Sequence, residues 1–110
     1  MHSLRISAAA LAGALTLGAG WTPAAAEGVV ESGKVKAATC LGCHGIEGYV
    51  NTYPTYHVPK VAGQHAAYIV AALRAYKQGT RPHPTMQALA ATLSEQDMHD
   101  IAAYFASQTD

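Results

Sequence analysis

Beyond residue 26 the apolar positions fall at helical spacing, and nowhere do they alternate for long enough to predict a strand. The last stretch is the clearest. Met98, Ile101, Ala102 and Phe105 recur at i, i+3, i+4 and i+7, which places them on one face of a helix. Ser94, with Asp97 three residues on, resembles a capping box with Asp in place of the usual Glu or Gln, and it sets the start of that helix. Another helix follows Gly63 in "QHAAYIVAALRAYKQG", where Ile69, Leu73 and Tyr76 stand four and three apart and Gly79 is placed to end it. A first helix runs from about Val29 to Thr39 and leads into Cys40, and a short one covers roughly Met86 to Ala91, after the breakers Pro82 and Pro84. Between them, "IEGYVNTYPTYHVPKVAG" reads as a long structured loop. The pattern predicts an all-α domain of about four helices.

The N-terminal stretch has a different character. Met-His-Ser-Leu-Arg precedes an uncharged run rich in Ala, Leu and Gly, and Ala24-Ala25-Ala26 stands before Glu27. A basic start, an apolar run and an Ala-x-Ala site mark residues 1–26 as a secretory signal peptide, leaving 27–110 as the domain. If it is not cleaved, the uncharged run from Ile6 to Ala26 is just long enough to serve as a membrane anchor. No cysteine lies at the cleavage point, which argues against a lipid anchor. After cleavage, six basic residues face seven acidic ones, a net charge near −1 that argues against nucleic acid as a partner. So short a domain is poor in core and often leans on a staple, a metal or a cofactor.

The candidate for that role is "AATCLGCHGIEG", which holds the chain's only cysteines, Cys40 and Cys43, with His44 directly after. Three chemistries share this pattern. A thioredoxin-like disulfide wants its Cys-x-x-Cys within a βαβ pattern, and this chain offers no strands. Zinc needs four ligands, and His57, His65, His83 and His99 are scattered without a second tight pair. Covalent haem asks for two thiols one helical turn apart and a histidine next to them to reach the iron. An export signal and a core-poor helical domain add weight to haem. A second axial ligand must then come from elsewhere. Met98 lies on the apolar stripe of the last helix, where core packing explains it. Met86 follows "RPHPT", whose prolines hold the backbone extended, so its thioether is free to face the iron; His83 is a further alternative.

Three ordered motifs carry a family resemblance: "CLGCHG", "PKVAGQHAAYIVAALRAYKQGTR" and "MQALAATLSEQDMHDIAAYFAS". From Val35 to Ser107 the chain resembles a class I c-type cytochrome, most like one domain of the tandem dihaem bacterial cytochromes c and their monohaem relatives. The resemblance implies one haem c per chain, attached at Cys40 and Cys43, with His44 as proximal and Met86 as distal iron ligand. It also implies that the Pro59 carbonyl accepts the His44 Nδ1 proton, and that the terminal helices cross at Gly33 against Tyr104 or Phe105. Tyr68, Tyr76, Ile69 and Leu73 are expected as haem wall or core, His57, His65, His83 and His99 as solvated, and Arg74, Arg81 and Gln64 as candidates to meet haem propionates. The chain departs from the tandem pattern in having a single Cys-x-x-Cys-His, and its loop is unusually rich in tyrosine. The function implied is a periplasmic one-electron carrier and not an enzyme. Its redox-protein partners would dock on a mainly apolar contact framed by Lys36, Lys60 or Arg81. A permanent cytochrome subunit of a periplasmic dehydrogenase and a haem-based ligand-binding sensor are the alternatives.

Overall fold

The computed structural model describes residues 27–109, with Ala12, Gly13 and Gly18 upstream. The signal peptide expected at residues 1–26 therefore lies outside the described residues, apart from those three. Among the described residues the chain forms α1 (Val30–Lys36), α2 (Ala38–His44), a hairpin of β1 (Val50–Thr52) and β2 (Thr55–His57), α3 (Ala66–Gln78), α4 (Pro84–Ala90) and α5 (Glu95–Ser107). None of these helices is long and apolar enough to cross a membrane.

The mostly helical fold follows the periodicity, with three differences. The expected first helix is two helices meeting at Ala37, and the second of them carries Cys40, Cys43 and His44. The expected loop contains the hairpin, in which Val50 pairs with His57, Asn51 with Tyr56 and Thr52 with Thr55 around a Tyr53–Pro54 turn. Three residues a side are too few to show an alternation. Finally, the short helix begins at Pro84, so Met86 lies inside its first turn and not ahead of it. Proline suits the first helical position because its missing N–H would have no partner there.

Two ends behave as predicted. At the start of α5, Asp97 N–H donates to Ser94 Oγ (3.0 Å) and Ser94 N–H donates to Asp97 Oδ2 (2.9 Å), completing the box. At the end of α3, Gly79 turns left-handed (φ 76°). Its N–H and that of Thr80 then return to the carbonyls of Tyr76 and Ala75.

The core gathers Ile69, Val70 and Leu73 of α3 with Met98, Ile101, Ala102 and Phe105 of α5, and Ala37 closes it at the α1–α2 joint. α1 lies against α5 at glycine distance. A Cβ on Gly33 would stand 1.9 Å from the Asp100 carbonyl oxygen, and one on Gly28 would stand 1.8 Å from that of His99. The crossing involves Tyr104 as expected, whose Cβ lies 2.8 Å from the same point on Gly33.

This crossing also buries a charge that the periodicity does not reveal. Asp100 is buried at 3% exposure, accepting from Lys36 Nζ (2.6 Å), Val29 N–H (2.8 Å) and Gln96 Nε2 (2.8 Å). Lys36 reaches Asp97 as well, at 2.9 Å. With the Lys36 ammonium and these donors around it, Asp100 is held at a pKa of about 2. Asp97, bonded first by the Ser94 backbone and then by Lys36, is likewise lowered to about 2.

Candidate haem site

Helix α2 sets the site. Cys40 and Cys43 lie one turn apart, so both thiols share a face, and both are free and half-buried. Burial raises the Cys40 thiol above its ordinary value, which keeps it protonated at neutral pH. Disulfide oxidoreductases and thiolate metal sites depend on the opposite shift. Among the described residues no three His, Cys, Asp or Glu side chains gather closely enough to hold a metal ion.

His44 closes the helix. Its Nδ1 lies 2.7 Å from the carbonyl oxygen of Pro59. A carbonyl can only accept, so the imidazole carries its proton on Nδ1 and keeps the Nε2 lone pair for another partner. Proline at 59 loses nothing by this, because its carbonyl is all the contact needs.

What faces these groups is space. No Cα of α2 comes within 8 Å of α3, α4 or α5, and its one helical neighbour is α1. Only side chains, Cys40 and Leu41, reach across to the core. The gap holds two adjoining cavities of about 360 and 220 Å³. Both are bordered by Cys40, His44, Pro59, Leu73, Tyr76, Arg81, Met86 and Ile101, and the first also by Cys43. A flat apolar group held by two thioethers suits such a gap. The residues present fit covalent haem in kind: two free thiols on one helical face, an imidazole with a fixed tautomer, and a half-buried thioether from another helix.

Met86 borders both cavities, whereas Met98 borders neither and is buried at 1% exposure in the core. The backbone N–H of Met86 donates to Nδ1 of His83 (3.3 Å). His83 is thus not a solvated surface group, as expected from the sequence, but a half-buried helix cap. Its ring meets Tyr56 edge-on at 4.7 Å and Tyr76 at 6.3 Å. His99 too is half-buried, while His57 and His65 are exposed.

The basic residues are redistributed relative to expectation. Arg74 is paired with Glu95 (2.6 and 3.0 Å) and borders neither cavity, so it does not face the gap. Arg81 does, stacked 4.8 Å over the Tyr76 ring and within 3.4 Å of the Tyr68 hydroxyl, and Gln64 borders the smaller cavity. Lys36, a third exposed and bordering the larger cavity, pairs with Asp97 and Asp100. Tyr68 borders the smaller cavity and is 53% exposed.

Fold and site together define a class I c-type cytochrome, a class of electron-transfer proteins and not of enzymes. The cytochrome c family profile matches residues 30–109, and the chain belongs to that family. Family membership implies covalently bound haem c. The chain is 44% identical over 83 residues to cytochrome c4 of Pseudomonas aeruginosa, covering 76% of this chain but 40% of that protein. It is 38% identical over 84 residues to cytochrome c-554(548) of Halomonas halodenitrificans, covering 74% of this chain and 98% of the other. The solved cytochrome c4 of Acidithiobacillus ferrooxidans superposes with a TM-score of 0.61 at 27% identity, over 74% of this chain and 51% of that one. The chain therefore spans about half or less of its cytochrome c4 relatives and nearly all of the shorter one.

Proposed function

We propose that this chain is an exported, periplasmic one-electron carrier holding one haem c, attached through Cys40 and Cys43, with His44 and Met86 as its axial iron ligands. The observation that carries the reading is the gap itself. The Cys-x-x-Cys-His helix stands off the bundle across an apolar space, and Met86, not Met98, borders it.

Haem c, when bound, supplies an iron that gains and loses one electron without any bond being made or broken. The chain's own residues do the rest. Cys40 and Cys43 fix the group's position and identity by covalent attachment. Pro59 holds the His44 ring through its Nδ1 proton, and a fixed ring keeps the metal's environment the same in both oxidation states. The Met86 thioether, a soft donor, favours the ferrous state and raises the reduction potential. Leu73, Ile101 and Met86 line the gap with apolar surface. No general acid, base or nucleophile is needed. A redox-protein partner would dock at the cavity mouth, near Tyr56, Arg81 and the half-exposed Leu89. With net charge so near zero, that contact is mainly apolar and short-lived.

Mass spectrometry of the native protein should show one haem added to a chain starting at Glu27. The ferric protein should show the weak near-infrared sulfur-to-iron absorption, and Met86→Ala should remove it, lower the potential and open the ferrous iron to carbon monoxide. A wild-type protein without the band that binds carbon monoxide readily would overturn the carrier reading in favour of a ligand-binding one. Stable co-purification with a dehydrogenase would replace the free carrier by a bound subunit.

A further inference from the structure

We propose that His83 is a positioning residue for Met86, and that the hairpin tyrosine Tyr56 braces it. The inference rests on the reading of Met86 as distal ligand and adds what holds that ligand in place.

Met86 is the third residue of α4, so its N–H is one of the first-turn donors that a helix cannot satisfy from within. Pro84 removes one such donor at the first position, and His83 Nδ1 takes the one that belongs to Met86. Histidine is an unusual choice for this position, where Ser, Asp and Asn are preferred. A histidine ring brings something that they lack, a flat apolar body that can itself be gripped. Tyr56 meets the ring at 4.7 Å and Tyr76 at 6.3 Å, both edge-on. The Tyr56 hydroxyl lies 3.2 Å from Oγ1 of Thr85, the residue between Pro84 and Met86. The first turn of α4 is therefore held twice from outside the helix: at Thr85 by Tyr56, and at Met86 by a His83 ring that Tyr56 also touches. α4 has seven residues and little helical stability of its own, so a turn this short depends on such fastenings. When the turn frays, the thioether leaves with it.

The test uses the ferrous and ferric holoprotein. In His83→Ala the methionine-detached population should rise about two- to thirty-fold, the span expected for loss of a helix cap. It is read as faster carbon monoxide binding to the ferrous form and a weaker near-infrared band in the ferric form. His83→Asn, which restores the acceptor without the ring, should recover most of the band, and Tyr56→Phe should lose a smaller part of it. A role confined to general stability would move the unfolding midpoint of His83→Ala and leave both ligand readouts unchanged. That result overturns the proposal, as does a His83→Asn variant no better than His83→Ala. Amide hydrogen exchange on the wild-type holoprotein needs no variant to fold. The Met86 N–H should be protected, and exchange at the rate of a free amide overturns the proposal. If Met86→Ala opens the iron while His83→Ala does not, this inference alone fails. If Met86→Ala leaves the band intact, the ligand reading fails and takes this one with it.

Discussion

Where α1 meets α5, the backbones are so close that Gly33 has no room for a methyl group, and Asp100 beneath them has each of its bonds made. Immediately after Ala37, the backbone of α2 runs clear of every helix but α1, with cavities between it and the bundle. Adjacent segments of one chain thus solve the problem of a small core in opposite ways. The first is finished by the polypeptide alone, through glycine-close packing and an internal ion pair. On the proposed reading the second is left for a prosthetic group to finish, with its half-buried thiols as the means of keeping that group in place. Apolar surface that faces a gap contributes nothing until something fills it.

The largest effect should come from denying α2 its filler. Cys40→Ala with Cys43→Ala should abolish haem that survives acid extraction, and the haem-free chain should be largely unfolded or molten, with poorly dispersed amide signals. Apo protein that unfolds cooperatively with near-holo stability would erase the contrast between the two segments.

Gly33→Ala attacks the other side. Its new methyl would meet a backbone carbonyl at 1.9 Å, so helices must part, at a cost of about 3 kcal/mol or more in chemical denaturation. A variant within about 0.5 kcal/mol of wild type would show that the crossing is looser than its geometry.

The ion pair gives a pH signature. Asp97 and Asp100 have folded pKa values of about 2 against an ordinary 3.8. A lowered carboxylate contributes stability that is complete above the unfolded pKa and is lost as the pH falls through the folded one. Stability should thus decline between about pH 4 and pH 2 as these groups protonate. Asp100→Asn should be less stable at pH 7 and decline less steeply over that window.

Much of this contrast was open to inspection in the residues themselves. The α5 stripe, the Ser94–Asp97 box and the Gly79 stop are local rules, and local rules hold wherever tertiary packing agrees with them. Cys40, Cys43, His44, Met86 and Pro59 stood out because their chemistry is tied to a short motif or to a family pattern. What escaped depends on distance in sequence. Asp100 looks like one more polar position on a helix until Lys36, 64 residues away, meets it. His83 carries no sign of Tyr56 or Tyr76. The hairpin is too short to display a period. The proline of "HPT" suits the first position of a helix, and it starts α4 at Pro84 with Met86 inside the first turn.

The smallest effect should come from Met98→Leu. It is a roughly volume-conserving exchange inside the self-sufficient half, costing under about 1.5 kcal/mol and leaving the near-infrared band untouched. Loss of the band in that variant would move the distal ligand from α4 to α5 and overturn the assignment of Met86.

In mechanical terms, α2 is a propped beam. Its root is clamped where Gly33 presses on Asp100, Ala37 carries the run onward with helical dihedrals, and the outer end bears His44, tied down at Pro59. Leu41 and Cys40 prop the beam midway against the core. A beam held at root, middle and tip takes its position from all three. The placement of His44 is therefore set partly at Gly33 and Asp100, residues that border neither of the two cavities between α2 and the bundle.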